Sequence, residues 1–441
     1  MKGAKILAEK WKSHTYSIGV GISNGEVKIT QDSYQGLSCR AFDKTFGFAC
    51  TNNPNMEKEV ENKAKRLAQF GTGKEKYRMK IMETNRSRVP VSEAVFKEYD
   101  AGSVAKELAE LDKLLVDPAI SSRSIGVRSN YTIREYENSS GAHVVFKDVW
   151  SYFSASAVAR AGDVMETWSE REGWLGRLDS KDISSFSSMA ETTRKKAVSL
   201  LTAGHVKKGS YTVVLDPDMA GVFAHEAVGH ACEADSVLGK ASVLDKIGAK
   251  VGSSIFNIVD YSSHPQGFGN IEYDDEGVKA RPALLIEKGV LKGYMHDSLT
   301  STMMGAGLTG NARSEGYSSP PIIRMRNTVL EPSDRKKAVK DEEVMNVKEG
   351  IFLKGMNGGS VDPLNGTFMF SAKEAYIINK GEMGGHLRDV AISSNIKHTL
   401  KNITSVGRDV SLSPGFCGKE GQHVRVSDGG PVIRVEDMTV G

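Results

Sequence analysis

The residue types that bind metal ions and move protons are concentrated in one segment, Asp216-Pro-Asp-Met-Ala-Gly-Val-Phe-Ala-His225-Glu226-Ala-Val-Gly229-His230-Ala-Cys232-Glu233-Ala-Asp235. Its centre, His225-Glu226-x-x-x-His230, is one residue longer than the H-E-x-x-H pattern of zinc peptidases. In an ideal helix, residues four apart differ by about 40° in azimuth and residues five apart by about 140°. Two imidazoles at the longer spacing do not meet on one ion in a regular helix. Widening a single turn into a π-bulge returns positions i and i+5 to one face, and such bulges often mark functional sites. Gly229, just before His230, makes the distortion cheap. The spacing therefore predicts a π-type or broken turn between His225 and His230. The same string also reads as two core histidines satisfied by hydrogen bonds, with Glu226 turned to a polar partner.

A zinc site needs a third protein ligand, and a catalytic one keeps a position for water. Cys417, Cys232, Glu233 and Asp235 are the candidates. Cys232 follows His230 too closely to share its face and reads as a small buried hydrophobe. Glu233 and Asp235 fall where the helix is expected to end, so solvated or capping carboxylates are the default. Cys417 lies in Ser411-Leu-Ser-Pro-Gly-Phe-Cys417-Gly-Lys-Glu-Gly-Gln422, read as a glycine-flanked loop. A loop thiol with no cysteine nearby is inert, a ligand or a nucleophile, and spacing does not choose.

These side chains need a frame. Residues 211–215 read as an apolar, β-branched strand leading into the segment. Asp216 is placed to cap the helix, and Pro217 sits at the first helical position, where a missing N–H costs nothing. Ala220, Val222, Phe223, Ala224, Ala227 and Val228 make the helix largely buried, so its histidines and glutamate need partners. Further strands are expected at 283–287, 290–294, 322–330, 351–355, 367–370, 375–379, 423–426 and 433–435. Hairpin-type turns are expected at Asn365-Gly366 and Asp428-Gly429-Gly430. Upstream, residues 1–13 read as a short amphipathic helix with Ile6, Leu7 and Trp11 on one face. Strands at 16–21 and 26–31 flank the turn Ser23-Asn24-Gly25, and 38–42 and 45–49 continue the meander. Helices are expected at 55–69, 102–115 and 185–201, and strands at 125–136 and 142–150. The pattern breaks around 203–210. The fold class is therefore α+β: an N-terminal α/β domain of meander strands and helices, residues 1–205, and a mostly antiparallel β-rich domain, residues 206–441, carrying the metal-site helix.

The chain has 441 residues, enough for two or three domains. With 58 Lys+Arg against 55 Asp+Glu the net charge is +3, which gives no bulk electrostatic case for nucleic acid or a membrane surface. Four cysteines in a chain this long make no disulfide framework, and a reducing cytoplasm is the simpler expectation. The first residues lack the apolar core of a signal peptide, and no run is apolar enough for a transmembrane helix.

The segment Phe223 to Asp235 resembles the H-E-x-x-x-H helix of the TldD/PmbA family, in its TldD-type metal-bearing branch. The resemblance continues in order through Tyr273-Asp-Asp-Glu-Gly277, Gly310-Asn-Ala-Arg-Ser314 with Arg324-Met-Arg-Asn-Thr328, Asp362-Pro363 with Phe370-Ser-Ala372, and Lys401-Asn-Ile-Thr-Ser-Val-Gly407 with the Cys417 segment. It implies a zinc-dependent metallopeptidase hydrolysing peptide bonds of unfolded proteins or short peptides through a zinc-activated water. His225, His230 and Cys417 carry over as metal ligands and Glu226 as the catalytic glutamate. Also implied are an α/β N-terminal domain, a β-rich C-terminal domain, and a two-fold dimer, with itself or with a related metal-less subunit. A thiolate ligand would make the zinc a weaker Lewis acid than a His-His-Glu set and the site sensitive to oxidation. Asn311, Arg313, Arg324 and Asn327 are candidates to line a peptide cleft, or else surface or interface polar residues. Two other readings compete: a binding or regulatory protein with a structural metal closed by a fourth ligand such as Cys232, and a thiol enzyme with Cys417 as nucleophile.

Overall fold

The computed structural model describes residues 7–70 and 100–441. The first sheet is antiparallel, with strands β1 (Leu7–Ser23), β2 (Glu26–Phe42), β3 (Phe46–Thr51), β4 (Ile120–Asn138), β5 (His143–Ala161) and β6 (Val164–Leu175) in the order β3-β2-β1-β4-β5-β6. The β1–β2 hairpin turns on Asn24 and Gly25, both at positive φ, as the Asn-Gly pair requires. Helices Ala101–Leu114 and Ser187–Leu200 cover one face, and Leu108, Phe153, Phe186 and Leu200 are fully or nearly buried between them and the sheet. Helix Glu57–Gln69 packs Val60 and Ala64 against β2 and β3.

The helix expected at the start of the chain is not present in its described part: residues 7–13 open β1, and residues 1–6 lie outside the described residues. Burial in β1 alternates with period two through Glu9, Trp11, Ser13 and Thr15. The polar members of that row are buried because partners from distant segments meet them; Glu9, for example, receives Arg40 and Tyr136. The four-residue spacing of Leu7 and Trp11 hid this. Strand β6 was not anticipated, and β4 and β5 run well beyond their expected ends.

The remaining strands lie beyond residue 208. Strands β7 (Gly209–Leu215), β14 (Glu349–Asp362), β15 (Thr367–Asn379), β16 (Glu382–Leu387), β17 (Ala391–Asn395), β18 (Ile403–Val406) and β21 (Ile433–Val440) form one sheet. Pairing of β14 with β15 closes the ring β14-β7-β21-β17-β15 on itself. A second sheet runs β10 (Val290–Leu291), β9 (Ala283–Glu287), β8 (Phe256–Tyr261), β13 (Asn327–Pro332), β20 (Gln422–Gly430) and β19 (Ser411–Lys419), with β19 at its edge. Two short strands, β11 (Ala312–Arg313) and β12 (Ile322–Ile323), pair with each other, so the single strand expected over 322–330 is broken. The architecture is mixed α+β and β-rich.

Asp428-Gly429-Gly430 is not a turn but the end of β20, paired with both β13 and β19. The glycines serve close approach: a Cβ at Gly429 would overlap the Ser411 carbonyl, and one at Gly221 would overlap the Gly429 backbone. That clearance lets the helix carrying the histidines lie directly on β20.

Candidate metal centre

Strand β7 ends at Leu215, and Asp216 then caps the helix as its side chain accepts from the Met219 N–H at 2.9 Å. Helix Pro217–Val222 passes into a π-helical turn over Phe223–Gly229, where the His230 N–H donates to the carbonyl of His225. The one-residue excess over H-E-x-x-H is thus absorbed where the spacing requires it, and the two imidazole centroids stand 5.5 Å apart. Gly229 has a steric role besides its flexibility, because a Cβ there would overlap the Met325 sulfur.

Cys417 arrives from the far end of the chain. It lies on strand β19, not in a loop, and pairs with Val424 across the β19–β20 hairpin. The glycine read as loop flexibility, Gly421, belongs to the two-residue turn of that hairpin. Arg324, fully buried, donates to the carbonyls of Cys417 and Gln422 and so pins both strands beside the helix. His225, His230 and Cys417 each offer a donor atom, all within 4.8 Å of one another, and Cys417 Sγ is 3.7 Å from His230 Nε2. Nitrogen and sulfur donors around a tetrahedral zinc lie about 3.5 Å apart, from bond lengths of about 2.0 and 2.3 Å. Nδ1 of the buried His225 has no hydrogen-bond partner among the described residues. Two imidazoles and a thiol, buried and converging, form a donor set that fits zinc.

Electrostatics favour the ligand form of the thiol. Burial alone would push the Cys417 thiol up, but the imidazoles of His225 and His230 outweigh it and hold it well below its ordinary value. In return, burial would lower His225, yet the Cys417 charge raises it to about 9. His230 is raised well above its ordinary value, against burial, by Glu233 and Cys417.

Glu226 is more exposed than the ligands, its side chain 39% accessible, and its Oε2 lies 3.6 Å from His230 Nε2. Glu233, expected to be solvated or capping, is instead 1% exposed and takes His230 Nδ1 at 3.1 Å. This is the carboxylate–histidine arrangement that fixes the tautomer and aim of a metal ligand. Burial would raise Glu233, but His230 and then Lys419 lower it. Lys419 reaches Glu233 at 3.1 Å and Asp235 at 2.7 Å. Neither Glu233, Asp235 nor Cys232 joins the converging donors, and Cys232 is fully buried with its thiol pushed up by desolvation.

The sequence reading missed Lys419. On a strand, Cys417 and Lys419 share a face, so placing Cys417 on a strand would have brought Lys419 with it. It also missed Asp428, a buried β20 carboxyl raised to about 7 by burial, with His225 opposing that rise. Asn311, Arg313, Arg324 and Asn327 are buried, not surface residues. They bond mainly to backbone carbonyls and to Asp260, as scaffold behind the site; Arg313 alone also lines a neighbouring cavity.

Residues 208–441 match the sequence profile of the PmbA/TldA metallopeptidase C-terminal domain, and residues 89–201 match that of the family's central domain. The chain is 35% identical over 425 residues to a metalloprotease of Methanocaldococcus jannaschii, covering 94% of this chain and 92% of that protein. It is 32% identical over 432 residues to a protein of Saccharolobus solfataricus named zinc metalloprotease TldD homolog, covering 94% of each. Its fold is similar to the crystal structure of TldE from Thermococcus kodakarensis, with a TM-score of 0.79 at 22% identity over 99% of this chain and 96% of that one.

Proposed function

The chain belongs to the PmbA/TldD metallopeptidase family, and from that premise we propose that it is a zinc-dependent peptidase acting on unfolded proteins or short peptides. In this reading His225, His230 and Cys417 hold the zinc and Glu226 is the general base. One observation carries it: three donors from the two ends of the C-terminal half converge within 4.8 Å, with the Glu226 carboxylate beside them and more open to solvent.

Zinc, when bound, supplies a Lewis acid that lowers the pKa of water from 15.7 to about 7 and polarises a carbonyl. Glu226 accepts the proton of the attacking water and delivers it to the leaving amine. Glu233 holds the His230 ring by its Nδ1, leaving Nε2 to face Cys417 and the ion. Lys419 braces Glu233 from its other side at 3.1 Å. Strand β19 is the outermost of its sheet among the described residues, so an extended peptide can add beside Cys417 through main-chain hydrogen bonds. Such binding selects little by side chain and suits unfolded chains. A dimer, with itself or with a related subunit lacking the metal motif, and a cytoplasmic location complete the proposal. No helix among the described residues is long and apolar enough to cross a membrane.

The test is Glu226→Gln. The variant is expected to keep stoichiometric zinc and lose cleavage of an unfolded peptide by about 10²-fold or more; cleavage at the parent rate with zinc retained would remove Glu226 from the mechanism. The pairing of Cys417 with His230 favours one other reading, a thiol nucleophile, and chelation separates the two. A thiol enzyme keeps its activity when stripped of metal, whereas the zinc peptidase loses it and regains it with added zinc.

A further inference from the structure

We propose that the cavity on the opposite face of β19 from the metal ligands receives a bulky apolar side chain, aromatic or branched, of an extended peptide; that the ligand is a peptide rests on the reading above. The cavity, of about 890 Å³, lies between β4 and β5 of the first sheet and the β19–β20 hairpin. Its wall includes Phe416, the chain neighbour of Cys417, and Arg425, the cross-strand partner of Phe416. Successive side chains of a strand point to opposite faces. With Cys417 turned to His230, Phe416 faces away from it into the cavity. A peptide laid along the edge of β19 alternates in the same way, one side chain toward the ligands and the next toward Phe416.

The surface met there is aromatic. The ring of Phe416 lies 5.5 Å from that of Trp150 and 5.2 Å from that of Tyr152, yet Phe416 stays 42% exposed. Leu175, which also lines the cavity, is 43% exposed. Large apolar groups left open on a concave wall are what an apolar ligand buries.

Several of the charged side chains of the lining are already engaged. Arg134 is held by Asp275, Arg425 by Asp148, and the guanidinium of Arg313 by the carbonyls of Met325 and Arg425. Arg128 lies over the Trp150 ring at 5.6 Å.

The experiment uses the full-length, zinc-loaded Glu226→Gln protein and two labelled glycine/serine-rich peptides that differ at one central residue, Phe or Ser. Binding is read by fluorescence anisotropy. The Phe peptide is expected to bind about tenfold or more tightly than the Ser peptide. Phe416→Ala is expected to reduce that preference to about twofold, and Leu175→Trp, which adds bulk to the lining, to weaken the Phe peptide about tenfold while leaving the Ser peptide nearly unchanged. Equal binding of the two peptides, or a preference that survives either substitution, overturns the proposal. Because no cleavage is measured, failure of the parent protein to hydrolyse peptides would sink the peptidase reading and leave this preference to stand or fall alone.

Discussion

Replacing Glu233 by Ala tests whether the metal centre depends on groups outside the ligand set. Glu233 is 1% exposed and stands between His230 Nδ1 and Lys419 Nζ, 3.1 Å from each. Its removal leaves His230 without the acceptor that fixes its tautomer and leaves Lys419 with Asp235 at 2.7 Å. Partners of this kind are worth about 10–100-fold in metal affinity, or about 1.4–2.7 kcal/mol. Asp235→Ala is the matched control, because Asp235 touches Lys419 but no ligand imidazole. Zinc affinity, measured by competition with a colorimetric chelator, should fall about 10–100-fold in Glu233→Ala and by less than about threefold in Asp235→Ala. A Glu233→Ala protein within twofold of the parent, or an Asp235→Ala protein equally impaired, would refute the reasoning that Glu233 aims His230.

Gly229→Ala should lower stability by about 1–3 kcal/mol, since the new methyl overlaps the sulfur of a Met325 that is itself fully buried. Urea unfolding reads the loss, and adding Met325→Ala should recover part of it; an unchanged midpoint would mean the π-turn tolerates a Cβ. Asp216 is raised to about 7, first by burial and against its hydrogen bonds from Met219 and Gly355. Its folded form therefore holds the proton more tightly than the unfolded chain, and the associated stability is full below about pH 4 and lost as the pH rises through about 7. Asp216→Asn keeps the helix cap but cannot ionise, so the parent should lose up to about 4 kcal/mol relative to the variant between pH 4 and 8. Parallel stability profiles for the two proteins would exclude this ionisation.

The sequence carried the local chemistry of the site further than its surroundings. The interval between His225 and His230 is a matter of helix geometry alone, and it predicted the π-turn. The cap at Asp216 and the Asn24-Gly25 turn are equally local. What could not be read depended on distant partners. Glu233 looks solvated until Lys419 is brought across from β19, and Glu9 looks like a surface helix residue until Arg40 and Tyr136 close on it. Gly429 resembles a turn glycine because its true reason, the closeness of Gly221 and Ser411, lies in tertiary packing. Cys417 entered through family resemblance, since spacing alone left it inert, ligand or nucleophile.

The account rests on one ion held by two imidazoles and one sulfur with a position left for solvent. X-ray absorption at the zinc edge of the reconstituted protein measures that directly. The expected result is one sulfur at about 2.3 Å with two imidazole nitrogens and one further light atom at about 2.0–2.1 Å, and a sulfur shell that disappears in Cys417→Ser. A spectrum with two sulfurs, which would close the site with a second cysteine, or with none in the parent protein, would contradict it.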